Sequence, residues 1–571
     1  MKTTILKGVL LLLCGMVLCL HSCSDDDDVE ILAPTIGLEG DSVSFKVKIG
    51  KTLNISPFYK FAEDAVFAWK IDGKIVSTSP TLEYEAEELG DKFLTLDVVN
   101  SVGSAFLEMK IAVVDLVLPQ ISINIPKNGF TIVKGSNLDL KPNVENGDQS
   151  TYSWTIDGQE KATSKDYSFS STELGEFKLT IKATNEDGSD QLSIPIKVCN
   201  AEDLPFSWVF DQTEYNMSSG RTIRLMAYDI SNALGGEFIW TVDGEEKQKG
   251  DQEWYAFSSS EQGKHSVSVS MKNDYAQVTQ NLIVNVCAPE GTYKRKASSA
   301  NSKNWNQVYS FLPAPGQFVN EHYTVYTNEE AAQYAEDRLE KNAYVSLGGF
   351  GGSIVVGFDH SIENDGDYNI QIKGNSFKGS SEPGIVWVMQ DENGDGLPND
   401  TWYELKGSDT ENSTTIKDYA VTYYRPKNPG LPVQWTDNQG MSGCIDYLGA
   451  WHNQDYYYPL WVEADTYTLR GTRLKSRTKE TSPGYWHNEE FEWGYVDNFS
   501  SIDRLTDDIN YSAAANGNHF KISNAIKYDG SPANLEYIDF VKVVGGLNIK
   551  AGWLGENSTE VFGFIDFNLI K

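Results

Sequence analysis

Three short stretches, FAWKIDGK (67–74), YSWTIDGQ (152–159) and FIWTVDGE (238–245), share the pattern Trp-x-Ile/Val-Asp-Gly. Their tryptophans, Trp69, Trp154 and Trp240, stand 85 and 86 residues apart. Each stretch is followed by a glycine and an alternating run: ELGDKFLTLDVVN to Asn100, ELGEFKLTIKATN to Asn185 and EQGKHSVSVSMKN to Asn273. Apolar residues at every second position, such as Leu94, Leu96 and Val98 or Phe177, Leu179 and Ile181, give strands with one buried face. Asp-Gly pairs suit tight hairpin turns. The pattern therefore predicts three small antiparallel sandwiches, each with its tryptophan packed between two sheets.

Outward from these stretches, the repeat runs over residues 31–116, 117–201 and 202–290. The units resemble PKD-like domains, immunoglobulin-type sandwiches of bacterial surface proteins, a likeness covering residues 31–290. It implies a spacer role. The chain keeps only the Asp-Gly of the family's Gly-Asp-Gly turn, and Phe177 stands where the family has Tyr. In the third unit Trp254 and Tyr255 are read either as core or as a small exposed patch.

Beyond Cys287 the repeat stops, and the connector GTYKRKASSANSKNWN leads into a different domain spanning 291–571. It contains one short helix, NEEAAQYAEDRLEKN, for which Asn328 is the expected N-cap and Ala331, Ala335 and Leu339 the buried face. Glycine-broken strands follow, including YVSLGGFGGSIVVGFD, GIVWVMQ, TWYELKG, LEYIDFVKVVG and EVFGFIDFNLI. The expectation is an all-β chain: three tandem immunoglobulin-like (PKD-like) sandwiches, then a larger jelly-roll-like sandwich with a short helix.

The 571 residues carry 47 Lys and Arg against 81 Asp and Glu, a net charge of −34 that repels nucleic acid and anionic lipid. At the start, Lys2 and Lys7 precede an apolar run over 8–20 that is too short to span a bilayer comfortably, so residues 1–22 read as a signal peptide. LHSC (20–23) resembles the lipobox of bacterial lipoproteins, which implies lipidation of Cys23. The acidic SDDDD within the 23–30 linker resembles the surface-export signal of Bacteroidota lipoproteins. These likenesses imply an outer-membrane protein facing the cell exterior, held by a lipid alone. After the signal and Cys23, only Cys199, Cys287 and Cys444 remain, too few for a disulfide framework and read as single core fillers.

Candidate chemistry falls in two places. In DENGDGLPNDTWYEL (391–405), Asp391, Asn393 and Asp395 alternate before Gly396, with Leu397 able to offer a carbonyl and Asn399 or Asp400 further oxygen. That is the start of a calcium loop, though Trp402 stands where an EF-hand needs a bidentate Glu. The alternatives are a structural calcium ion or a plain Asx/Gly turn. The second place is a set of aromatic loops, WHNQDYYYPLW (451–461) and GYWHNEEFEWGYVDN (484–498), where Trp451, His452, Tyr457, Trp486, His487 and Trp493 are candidate ligand contacts. Flat rings suit sugar faces or the apolar rim of a corrin, and they equally suit a core.

PAPGQF, SLGGFGGSIVVGFDHSI, SEPGIVWVMQDENGDGLPNDTWYELKGS, YIDFVKV and AGWLGE together resemble a family of bacterial cell-surface jelly-roll domains. Some of its members are found in loci for vitamin B12 uptake beside a TonB-dependent transporter. The resemblance implies capture of an extracellular ligand, cobalamin foremost and a glycan as the alternative, with the transporter as a possible partner. An adhesin or stalk is a further alternative. A glycosidase-like reading rests on Glu489, Glu490, Glu492 and Asp497 near aromatics. Common nucleophile-elbow, zinc-protease and phosphate-loop motifs are absent, so no catalytic residue is assigned.

Overall fold

The computed structural model describes residues 32–571 apart from 39–42, 124, 127–128, 205 and 483–484. Cys23, the signal segment and the acidic linker lie outside the described residues. The chain divides into two compact units, meeting at Val117 and Leu118. No described helix is long and apolar enough to cross a membrane.

The first unit is a single sandwich. Its larger sheet contains five strands, in the order Ser44–Lys48, Ser104–Val114, Gly90–Val99, Val66–Ile71, Lys74–Ser77. The same order recurs twice in the second unit, in the sheets built around Gly175–Asn185 and Gly263–Lys272. In all three the first strand pairs in parallel with the last long one. Trp69, Trp154 and Trp240 are fully buried, as the alternation requires. Asp72, Asp157 and Asp243 have φ near +50° and Gly73, Gly158 and Gly244 near +80°, the two left-handed positions of a type I′ hairpin. The repeated Asn has a job too: the Oδ1 atoms of Asn100, Asn185 and Asn273 each accept two backbone N–H groups from the turn that follows.

The C-terminal domain is built on a seven-stranded sheet whose main path is Gln307–Leu312, Ser353–Glu363, Tyr537–Gly545, Gly384–Met389, Trp402–Leu405, Ala525–Ile526. A three-stranded sheet, Asn518–Phe520, Ile370–Lys373, Gly563–Asp566, shares one hydrophobic core with it, in which Val356, Val386, Val541, Ile372 and Phe564 are buried. A four-stranded sheet adds to this sandwich and includes Ile416–Tyr424 and Thr466–Arg473. The helix Asn328–Glu340 buries Ala331, Ala335 and Leu339 as expected, but its N-cap is Thr327, not Asn328. The Thr327 hydroxyl accepts from Glu330 N and the Glu330 carboxylate from Tyr326 N, a Thr-x-x-Glu box that outcompetes a cap one residue later. Cys199, Cys287 and Cys444 are free thiols.

The second and third sandwiches are docked on the C-terminal domain. Gln434 donates to Gln120 at 3.2 Å, and the third sandwich is bound far more extensively, as described next.

Candidate functional site

The central strands of the seven-stranded sheet have two differently used faces. Val386, Val388, Tyr403, Leu405, Val541 and Val543 point into the core. The alternate positions hold Trp387, Trp402, Glu404 and Lys542. In register, Lys542 lies opposite Trp387, and Trp387 opposite Glu404. The Lys542 ammonium is 4.4 Å from the Trp402 ring centroid and 5.4 Å from that of Trp387. It makes no hydrogen bond or ion pair among the described residues. Burial pushes its pKa down to about 8, opposed by the charge of Asp211.

The third sandwich roofs this face. Arg224 makes a two-pronged ion pair with Asp418, at 2.7 and 2.8 Å, and its guanidinium lies 3.3 Å over the Tyr528 ring. Trp254 packs edge-on against Tyr528 at 5.8 Å; this half-buried residue therefore serves the domain contact. Arg470 pairs with Asp229 and lies 5.0 Å from the Tyr228 centroid. Between roof and floor is a cavity of about 470 Å³, inside the about 300–1,000 Å³ range usual for small-molecule sites. Glu404 accepts the Thr472 hydroxyl at 2.6 Å, and burial raises its pKa. Flat indole faces, the Lys542 ammonium and hydrogen-bonding carboxyl groups suit a polar ligand with flat apolar faces.

Sequence reading did not assemble this site, because its walls come from strands far apart in the chain. A signal was present: Lys542, with Asp539 before it, interrupts the otherwise apolar run YIDFVKVVG, and Glu404 is the lone charge in TWYEL.

The acidic loop lies at the same domain contact. Glu392 accepts Ser218 N at 3.0 Å, the Thr401 hydroxyl donates to Asn216 O at 3.1 Å, and the Asn216 amide donates to Asn399 O at 3.3 Å. Within the loop, Asp391 accepts N–H from Gly394 and Gly396. Asp395 accepts Leu397 N and the amide groups of Asn393 and Asn399. Leu397 is half exposed, and its carbonyl accepts Asn399 N. Asp400 is buried, with Oδ2 accepting Glu392 N and Oδ1 unpartnered. Burial raises its pKa to about 8, with Glu392, Asp391 and Asp395 adding to the shift. The described clusters that bring three potential ligand atoms within 4.8 Å of one another are elsewhere, at Glu145–Cys444–Asp446 and Glu382–Asp497–Glu560.

The expected aromatic platform is dispersed. Trp451 is 75% exposed. His452 is half-buried against Phe318 and bonded to Glu321 at 2.7 Å. Tyr457 is a correction: it is fully buried, donating to His452 O and accepting from Leu448 N. Tyr457 and Tyr458 are both sealed because this segment is irregular, so strand alternation does not apply, and each hydroxyl finds a backbone carbonyl. Trp486 and His487 lie on the Tyr485–Asn488 strand of a two-stranded hairpin, Trp486 half-buried against Gly552 and His487 exposed beside Gly379. Trp493 is half-buried. The rings of the two loops share no ring contact among the described residues. Of the carboxylates weighed for a glycosidase, Glu489, Glu490 and Glu492 are exposed and Asp497 is sealed.

Among known proteins, a model of PKD-like domains matches residues 33–100 and 118–185. No curated protein matches the chain. The solved structures it is similar to include the three N-terminal domains of the bacteriophage RB49 outer capsid protein Hoc, with 14% identity over 45% of this chain and all of that one and a TM-score of 0.22. Another is the fibronectin(III)-like modules of Clostridium thermocellum CbhA, with 14% identity over 31% of this chain and all of that one and a TM-score of 0.16. A third is Bacteroides ovatus SGBP-B of a mixed-linkage glucan utilization locus, solved with a mixed-linkage heptasaccharide, with 12% identity over 79% of this chain and 98% of that one and a TM-score of 0.17. These distant superpositions carry no argument about ligands. The match to PKD-like domains thus falls on the first two sandwiches.

Proposed function

We propose that the chain is a lipid-anchored surface protein that binds an extracellular saccharide in the cleft between its third sandwich and its C-terminal domain. The observation that carries this reading is the placement of Trp387 and Trp402 around Lys542 in a cavity of about 470 Å³. Indole faces stack on the apolar faces of pyranose rings, while the polar wall groups meet hydroxyls. The role proposed is binding, with no turnover. Lipidation at Cys23, an outer-membrane location facing outward and delivery to a TonB-dependent transporter belong to the same proposal. The spacer role narrows to the first sandwich, since the second and third are docked on the domain that holds the cleft.

Cobalamin is the second reading. The exposed rings of the aromatic loops offer a flat surface for a corrinoid, and Trp451, 75% exposed, is the observation that favours it. Calorimetric titration of residues 23–571 with a panel of oligosaccharides and with cobalamin separates the two. Heat with a saccharide that is lost in Trp402→Ala supports the cleft. Heat with cobalamin alone, lost in Trp451→Ala, moves the function to the loops.

For the acidic loop we propose a structural calcium ion. The buried, unpartnered Oδ1 of Asp400 has Asp391 and Asp395 as charged neighbours, and a hard cation would relieve that crowding of carboxylates. Asp391, Asp395 and Asp400 would hold it with the Leu397 carbonyl, while Asn393 and Asn399 would turn amide oxygens inward. The ion would stiffen the contact with the third sandwich.

A further inference from the structure

We infer that the cleft selects an acidic saccharide, one carrying a carboxylate or sulfate that seats on Lys542 Nζ. This rests on the cleft being the binding site.

Charged side chains of both signs surround the cavity. Among its cations, Arg224 is committed to Asp418 and Arg470 to Asp229. Lys417 reaches a backbone carbonyl, that of Tyr528 at 3.2 Å, and Lys527 lies beside Tyr528 on the cavity wall, away from the two indoles that flank Lys542. Lys542 has no polar partner among the described residues. Each lining carboxylate accepts a hydrogen bond. Asp418 is held by Arg224, and Asp211 accepts the Tyr215 hydroxyl and Gln212 N. Glu404 accepts the Thr472 hydroxyl, and Asp400 accepts Glu392 N on Oδ2, its Oδ1 being without a partner. What sets Lys542 apart is its place: a half-buried ammonium held between two indoles on the cavity wall with no hydrogen bond or ion pair among the described residues.

An unpaired buried ammonium is costly. The two indoles offset part of that cost, since a cation over an aromatic face gains about 0.5–2 kcal/mol. The rest is recovered when an anion arrives. A neutral sugar in the same place offers the ammonium hydroxyl oxygens but no counter-charge, and a hydrogen bond between an ammonium and an anionic oxygen is about twice as strong as one between neutral groups. The lowered pKa of Lys542, about 8, adds a signature. An anion beside the ammonium favours its charged form, so binding near pH 8 takes up protons, and acid selectivity fades as the pH rises beyond that value. The other charged or titratable cavity groups, Asp211, Asp400, Glu404, Asp418, Lys417, Lys527, Arg224 and Arg470 with the tyrosines of the wall, bear on this profile, so the test isolates Lys542 by substitution.

The test is calorimetry on residues 23–571 with oligosaccharides of polygalacturonate, hyaluronan and chondroitin sulfate, each beside its carboxyl-reduced or desulfated form, at pH 7 and pH 9. The expected result is at least ten-fold tighter binding of an acidic sugar than of its neutral form at pH 7. Lys542→Met should abolish that preference, so that the acidic sugar binds no more tightly than its neutral form; Lys542→Arg should keep it and lose the pH dependence. Equal affinity for acidic and neutral forms, or a preference that survives Lys542→Met, overturns this inference and leaves the cleft standing as a saccharide site. Absence of heat with every sugar overturns the cleft reading and this inference together. Thermal melts confirm that each variant is folded.

Discussion

Lys542 and Trp387 face one another directly across the paired strands Tyr537–Gly545 and Gly384–Met389, with the ammonium 5.4 Å from the indole centroid. A cross-strand pair of this kind is fixed by register, because a slip of one residue in either strand would turn that strand's side chain from the cleft into the core. The neighbouring valines, Val541, Val543, Val386 and Val388, forbid such a slip by being fully buried. The packing that holds the fold thus also holds the binding face.

Trp402 offers the cleanest probe of that face, since its ring is nearest the ammonium, at 4.4 Å, and it is not part of a described hydrophobic core. Trp402→Ala should weaken saccharide binding by about ten-fold, roughly 1.4 kcal/mol, with little change in the urea midpoint. Tryptophan fluorescence titration reads the first quantity and denaturation the second. A large stability loss with unchanged affinity would assign Trp402 to structure.

Arg224 joins the third sandwich to the C-terminal domain through Asp418, and the two side chains are only 15% and 26% exposed. Hydrogen bonds between charged partners contribute about 1.5–3 kcal/mol, so Arg224→Ala should lower the stability of this unit by about that much and weaken the ligand too, because the roof of the cleft loosens. A double-mutant cycle with Asp418→Ala isolates the pair. Additive effects would show that the contact is incidental.

The repeat was legible because one physical device is copied three times: a tryptophan between sheets, an Asp-Gly turn in the left-handed region and an Asn that satisfies the next turn. The helix was legible except for its cap, where Thr327 with Glu330 wins over Asn328. The cleft was not legible, because it joins Arg224, Trp387, Asp418 and Lys542, whose proximity depends on domain docking that no local pattern encodes. Tyr457 misled for a related reason. Aromatic density marks either a core or a binding surface, and only tertiary context decides; here it seals Tyr457 completely.

A calcium ion in the acidic loop would bind the folded chain alone and raise its stability by mass action. The melting temperature of residues 23–571 should therefore rise with millimolar calcium and fall with excess chelator, and Asp400→Asn should blunt both shifts. An identical melting temperature in calcium and in chelator would leave the loop as a hydrogen-bonded turn docked on Ser218 and Asn216.

Glu556 predicts how stability depends on pH. It is buried, with Oε1 accepting Gln317 N at 2.8 Å and Oε2 unpartnered. Burial lifts its pKa from an ordinary 4.5 to about 8, and the nearby carboxylates of Glu560 and Asp446 add to the shift. Between those two values the folded chain keeps a proton that the unfolded chain has released, so stability must fall as pH rises through this window. The loss is at most about 1.4 kcal/mol per pH unit for one such group. Glu556→Gln keeps the shape and removes the titration. Its urea midpoint should therefore decline less steeply than that of the wild type from pH 5 to pH 8, and the gap between the two should widen with pH. Asp503, raised by burial to about 7, contributes to the slope common to both proteins, so the difference between the curves belongs to Glu556. Parallel curves would mean that Glu556 is ionised in the folded chain and that a cation or solvent compensates its charge.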